Sequence, residues 1–298
     1  MRVKRECNDS VPPPSTCGAG YPGQDMPDKH EKIRLGGMAL QNGVLVHGPT
    51  SWAVAVRTDE GELRVASGEK SVRGAGVTNP LLRGPVRLLD AFALLPRIRR
   101  ACPEARLPFE RPAVLGSMLV TAVVAHRLRR STRLGPALRE LLGGTLSLLP
   151  ATLALRGSDL AAYHGAEHIS IGTYEHGEPR GKEHERCGSH LVGPLLLTSA
   201  AGAALAAKAP ERTRGPARLA AAVGSVVAAT EIFSWMVRNA DHPVARSLAW
   251  PGHELQHRFA TADPDAAQLE VAQAALEACL ELETRAAEHD GPRSPAAG

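Results

Sequence analysis

Apolar and polar positions alternate between residues 38 and 67. Trp52, Val54 and Val56 are separated by smaller residues, and Leu63 and Val65 by Arg64. Successive strand side chains point to opposite faces, so this period of two predicts strands. Thr58-Asp59-Glu60-Gly61, between the two runs, has hairpin turn chemistry. A small β unit is expected over about 38–67.

From residue 80 the period becomes helical. Residues 81–100 carry apolar side chains at three- and four-residue spacing. Four apolar runs follow, at 113–125, 141–155, 191–207 and 219–237. The second is interrupted by Gly143, Gly144 and Pro150, and the fourth contains Glu231. The last element begins near Asp263, expected at the N-cap with Pro264 at the first helical position. Leu269, Ala272, Leu276, Cys279 and Leu280 share one face, as in an amphipathic helix. Residues 285–298 read as a disordered tail. Residues 1–34, polar and rich in Pro and Gly, read as a disordered leader. The span 35–284 reads as one domain, mainly α, with a small N-terminal β unit.

Composition decides where such helices can live only in part. Aromatic residues make up 3% of the 298 positions, so Ala, Leu and Val must supply the core. Such side chains suit close-packed helices in water or in lipid. A spanning helix needs about 20 apolar residues. Run 113–125 is too short to cross a bilayer alone, and 219–237 has the length. A membrane bundle and a soluble Ala-rich bundle both fit the pattern.

The formal charge is +4. The arginines flank apolar segments: Arg97, Arg99, Arg100, Arg106 and Arg111 before run 113–125, then Arg127, Arg129, Arg130 and Arg133 after it. That placement suits a membrane surface better than a nucleic acid, and no nucleic-acid partner is expected. The five cysteines are scattered and imply no disulfide framework.

The chemistry concentrates in residues 163–190, which hold five of the twelve histidines. Its centre is His164-Gly165-Ala166-Glu167-His168. On a helix these three polar side chains fall within an arc of about 100°. Two imidazoles one turn apart can share a metal ion, and the adjacent carboxylate can act as general base. Further on comes His184-Glu185-Arg186-Cys187, which adds an imidazole and a thiol. The expected ligands of a divalent metal, zinc by donor type, are His164, His168, His184, Cys187 and Glu231, with Glu167 catalytic. Glu231 enters because a carboxylate in an apolar helix is costly unless paired, protonated or metal-bound. Tyr163 and Tyr174 are candidates for steadying an intermediate. His176 is expected in a solvent-facing loop, and His190 at the start of the next helix. The surplus of donors leaves a closed structural site open beside a catalytic one.

These segments also carry a family resemblance. YHGAEH, then TYE, then His184 to Ser189 resemble the YqhQ-like family of bacterial membrane proteins, a domain of unknown function. Gly36-Gly37 through Val46, Gly48-Pro49 and the following Ser51-Trp52-Ala53-Val54-Ala55-Val56-Arg57 resemble its N-terminal block. Pro251-Gly252, Leu255-Gln256 and the 263–272 segment are similar to its C-terminal block, and Glu231 sits where the family carries a Glu in a late hydrophobic helix. The resemblance implies a multi-pass protein of the bacterial inner membrane, with a lipid bilayer around it. It also implies a metal-dependent enzyme of unknown substrate, with His164, Glu167, His168, Glu175, Cys187 and Glu231 as site candidates. Asn42, His47 and Ile169 depart from the family pattern, and Asn42 would alter the site if it replaced a carboxylate there. The functional expectation is a metal-dependent membrane hydrolase. The alternative is a non-enzymatic membrane scaffold or accessory protein in which the ion is structural.

Overall fold

The computed structural model describes residues 32–70 and 76–290. The expected leader lies almost wholly outside them, as do residues 291–298 of the expected tail.

Four strands form an antiparallel meander in chain order: β1 (Gly36–Leu40), β2 (Gly43–His47), β3 (Ser51–Arg57) and β4 (Leu63–Glu69). The expected β unit is present, two residues longer at each end. Period-two alternation divides its side chains between two cores. Val44, Val46, Ala53 and Ala55 face one core, shared with Tyr163, Ala166, Val271 and Leu276. Leu45, Trp52, Val54 and Val56 face the other, with Leu94, Ile98 and Leu107. Both faces of the central strands are thus covered by helices, which explains why β2 and β3 read as nearly continuous apolar runs.

The helices begin where expected. α1 (Pro80–Ala93) and α2 (Leu95–Ala101) lead to α3 (Pro112–Arg130). Run 141–155 is split into α4 (Pro136–Leu146) and α5 (Leu149–Leu155), with Pro150 in the first turn of α5, where its missing N–H costs nothing. α6 (Asp159–His176) carries the histidine motif. α7 (Val192–Ala207) and α8 (Arg214–Arg238) pack as a pair, and α9 (Pro243–Leu255) continues into a π-helical turn at Gln256–Ala260.

α10 (Ala266–Asp290) packs against β2, β3 and α6. Its start differs from the expected one. Asp265, not Asp263, caps it: Gln268 N donates to Asp265 Oδ1, and Asp265 N donates to Gln268 Oε1, a reciprocal capping box. Asp263 instead pairs with Lys182. The helix also runs past Thr284, where fraying was expected. Near its end Glu283 is buried and accepts hydrogen bonds from Thr50 N, Thr50 Oγ1, Ser51 N and Ser51 Oγ. These long-range contacts fix the helix one residue before the expected start of fraying.

Among the described residues, two helical stretches are long and apolar enough to cross a membrane, Gly188–Ala207 and Glu211–Arg238, with mean hydropathies of 1.5 and 1.6. Only 28% and 17% of their most apolar windows are buried. The core helix of a water-soluble protein hides most of its apolar surface, and these two do not.

Candidate metal centre

α6 places His164 and His168 one turn apart, with ring centroids 4.3 Å apart. Each ring is anchored at Nδ1. His164 Nδ1 lies 2.8 Å from Ala260 O, and His168 Nδ1 lies 2.6 Å from Lys182 O. A carbonyl only accepts, so both Nδ1 atoms carry the proton and both Nε2 atoms keep a free lone pair. This is how protein metal ligands are usually oriented. Burial, ahead of other influences, lowers the pKa of His168 and favours its neutral, metal-binding form.

Both anchors depend on the backbone that approaches α6. Ala260 ends the π-helical turn, where the helix leaves its last carbonyls without internal partners. Gly165, between the two histidines, lets that segment come close. A Cβ there would lie deep inside the contact radius of Ala262 O. Ala262 N in turn donates to Ala161 O at 2.9 Å.

Cys187 completes the group. The donor atoms of His164, His168 and Cys187 all lie within 4.8 Å of one another. Cys187 Sγ is 3.6 Å from His164 Nε2. A tetrahedral site with metal–nitrogen bonds of ~2.1 Å and metal–sulfur bonds of ~2.3 Å has a nitrogen–sulfur edge of about 3.6 Å. The trio can hold a metal ion with little movement.

Glu167 lies beside them, 6% exposed. Its Oε2 is buried without a hydrogen-bond partner among the described residues. Burial pushes its pKa up to about 6, against the opposing pull of His164 and His184. The Gly36-Gly37 pair of β1 makes room here: a Cβ on Gly37 would collide with the Glu167 carboxyl. All four side chains line a cavity of about 410 Å³, bounded also by Leu35, His47, Ala154, Leu155 and Arg186.

The two other expected ligands have partners of their own, although His184 lines the same cavity. His184 is buried next to His168, with ring centroids 5.5 Å apart. However, its Nδ1 accepts from Arg186 N, and its Nε2 meets Glu175 Oε2 at 3.3 Å. Both nitrogens are engaged, so His184 supports the site and does not point a lone pair at it. Glu175 also receives Arg186. Burial raises the Glu175 pKa, but the His184 and Arg186 contacts outweigh it, and the net shift is downward. Glu175 thus holds the 184–187 loop in place.

Glu231 is not brought to the cluster. It makes a two-pronged ion pair with Arg83 of α1, Arg83 Nε to Oε1 at 2.7 Å and Nη2 to Oε2. The cation that its near neighbours in sequence do not supply comes from 148 residues away. Replacing Glu231 by Gln is accordingly expected to leave metal content unchanged and to loosen the α1–α8 contact. Elemental analysis beside a melting curve checks both, and a metal-free variant would return Glu231 to the site.

Tyr163 is buried in the apolar core, and the Tyr174 hydroxyl accepts from Ile33 N. Neither lines the cavity. His176 is the last residue of α6 rather than a loop residue, with Nδ1 on Gly172 O and Nε2 3.2 Å from Glu185. His190 falls in a 3₁₀ turn, Gly188–Leu191, just ahead of α7. Asn42 sits in the β1–β2 turn and bonds Arg57 O, Glu104 O and Arg106 N, so it replaces no carboxylate of the site.

Sequence reasoning missed Gln256. It is fully buried. Its Oε1 accepts from His184 N, and the two N–H groups of its Nε2 are shared among His184 O, Ser189 Oγ and His190 Nδ1, all within 3.2 Å. One amide therefore clamps both ends of the loop that carries Cys187. Only its place in the similar C-terminal block drew attention to it.

No curated protein and no solved structure matches the chain. Residues 158–282 match the family described as Protein of unknown function (DUF1385). The match begins at the N-cap of α6 and ends within α10, and so takes in His164, Glu167, His168, Cys187 and Gln256 together. The segment that builds this centre is thus similar to the DUF1385 family.

Proposed function

We propose that this protein is a membrane-embedded, metal-dependent hydrolase that holds one divalent cation, zinc by its donor chemistry, on His164, His168 and Cys187. The observation that carries this reading is three converging donors beside a buried, partnerless carboxylate in one cavity. A structural zinc site closes on four protein ligands, whereas a catalytic one keeps three and leaves a position open. When bound, such an ion activates water or polarises a carbonyl or phosphoryl oxygen.

The chain's own residues supply the rest. His164 and His168 offer Nε2 because Ala260 O and Lys182 O hold the Nδ1 protons. Cys187 is positioned by Gln256 from one side and by Glu175, through Arg186 and His184, from the other. Glu167 Oε2, with no other partner, is placed to take a proton from water and return it to a leaving group. Apolar walls from Leu35, Ala154 and Leu155 keep bulk water from that carboxylate.

Glu167→Gln is expected to keep one metal per chain and its melting temperature, while turnover of an activated acyl or phosphoryl ester falls by about 10² to 10⁴. Turnover at the unsubstituted rate with metal in place would remove Glu167 from the chemistry. The scaffold alternative makes a different prediction. If the ion pinned the fold, chelation would unfold the 177–191 region. Gln256 and Glu175 already hold that loop with protein hydrogen bonds, so helicity is expected to survive chelation.

The membrane part of the proposal rests on exposed apolar surface. Leu119 on α3, Leu205 on α7 and Leu219 on α8 are each about two-thirds exposed. Together with the two spanning-length helices, they fit a multi-pass protein of a bacterial inner membrane. Retention in the pellet after carbonate extraction supports this, and release into the supernatant rejects it.

A further inference from the structure

His47, the last residue of β2, lines the same cavity as Glu167 and the three donors. Its ring has two distinct edges. Nδ1 lies 3.0 Å from Lys70 Nζ, which in turn lies 2.9 Å from Asp90 Oδ2 on α1. An ammonium group has only donors, so Nδ1 must accept and the ring proton must sit on Nε2. Burial and then the Lys70 charge bring the His47 pKa down to about 4, so the ring is neutral near pH 7. Nε2 makes no hydrogen bond among the described residues. It lies beside Gly36, which lines the cavity too: a Cβ on Gly36 would come within 2.8 Å of it.

Lys70 and Asp90 are both buried, with side chains 3% and 7% exposed. A buried ion pair is a poor way to gain stability, because desolvation consumes most of the attraction. Here it does something an apolar pair cannot: it selects one tautomer of His47. The cavity around that tautomer is polar at the His/Cys/Glu end and apolar along Leu35, Met38, Leu155, Leu160 and Ile171.

We propose that His47 is a fixed, neutral hydrogen-bond donor that presents Nε2–H to an acceptor oxygen of a bound molecule whose apolar body lies along this wall. This deepens the reading of the same cavity given above and names its ligand class, an amphiphile with a carboxyl, ester or similar oxygen at its head. It requires the cavity but not the ion.

The test uses the full chain in detergent, with and without chelation, and two probes, octanoate and acetate. ¹⁵N spectra of histidine-labelled protein are expected to show His47 protonated at Nε2 and not at Nδ1. Octanoate is expected to bind at least about tenfold more tightly than acetate, because only it reaches the apolar wall. His47→Ala should weaken octanoate by about tenfold, the value of one lost hydrogen bond. His47→Gln, which can return an N–H near the Nε2 position, should recover most of that loss. Gly36→Ala keeps the His47 side chain but sets a methyl against its Cε1–Nε2 edge, so the ring must shift and Nε2 is covered, and it should reproduce the loss without relying on the stability of the His47 variants. Nδ1 protonation, equal binding by wild type and His47→Ala, failure of the Gln rescue, or octanoate binding no better than acetate would each overturn the proposal. Metal content of the same samples is read separately: a protein without metal that still shows the His47 effect loses the ion and keeps the donor.

Discussion

The unsubstituted protein is expected to purify with one metal ion per chain, and His164→Ala without it. The site has three donors, and removing one deletes a third of the coordination. Loss of a residue that merely orients a ligand weakens metal binding by roughly 10- to 100-fold, so loss of the ligand itself should exceed that range. His184→Ala belongs to the milder class, because its two nitrogens are committed to Arg186 N and Glu175. The comparison separates two readings of the same motif. If His184→Ala strips the metal as thoroughly as His164→Ala, the trio of His164, His168 and Cys187 is wrong. Cobalt substitution adds a second readout: a thiolate-to-cobalt absorption band should be present in the unsubstituted protein and absent in Cys187→Ser. Because a histidine must be neutral to bind, metal should be released as pH falls, and burial, which lowers the His168 pKa, should move that release to lower pH.

Gly165→Ala is expected to destabilise the protein, and the sign is the informative part. Glycine inside a helix is worse than alanine by about 1 kcal/mol, so propensity alone predicts a gain. The new methyl would instead meet the backbone oxygen of Ala262, which has no flexible side chain to move aside. Overpacking of that kind costs about 1–3 kcal/mol. Separating the two segments also strains the Ala262 N–Ala161 O and His164 Nδ1–Ala260 O bonds, each worth about 1 kcal/mol. The net expectation is a loss of about 2–4 kcal/mol with reduced metal affinity, measurable by chemical denaturation and metal titration. A more stable variant with full metal content would show that the 260–262 segment does not press on α6. The two effects share one cause, since the contact that sets helix packing also sets the His164 tautomer.

Some of this could be read directly from the order of residues. Alternation over 38–67 located the sheet, because strand side chains repeat every two residues wherever the strand goes. The i, i+4 spacing of His164 and His168 put two imidazoles on one helical face, because a helix imposes that neighbourhood on its own. Glu167 was legible for the same reason. The apolar runs located α3, α7 and α8, although whether lipid surrounds them depends on what covers their exposed faces.

Other assignments turned on distance along the chain. Glu231 was read as a ligand because no cation stood near it in sequence; Arg83 reaches it across the α1–α8 contact. His184 and Cys187 are three residues apart in a loop, where no fixed periodicity says which one faces inward. Gln256 and Glu175 decide it, one from the π-helical turn and the other from the end of α6. His47 lies in a strand far from the motif, and only the packing of β1 and β2 against α6 brings it to the same cavity. Sequence alone therefore established the elements and the pair of histidines that one helix aligns, since those follow from backbone geometry within a few residues. Tertiary structure decided which loop donor joins them, which carboxylate stays unpaired and which tautomer each ring adopts, since each of those depends on a partner that folding brings from elsewhere in the chain.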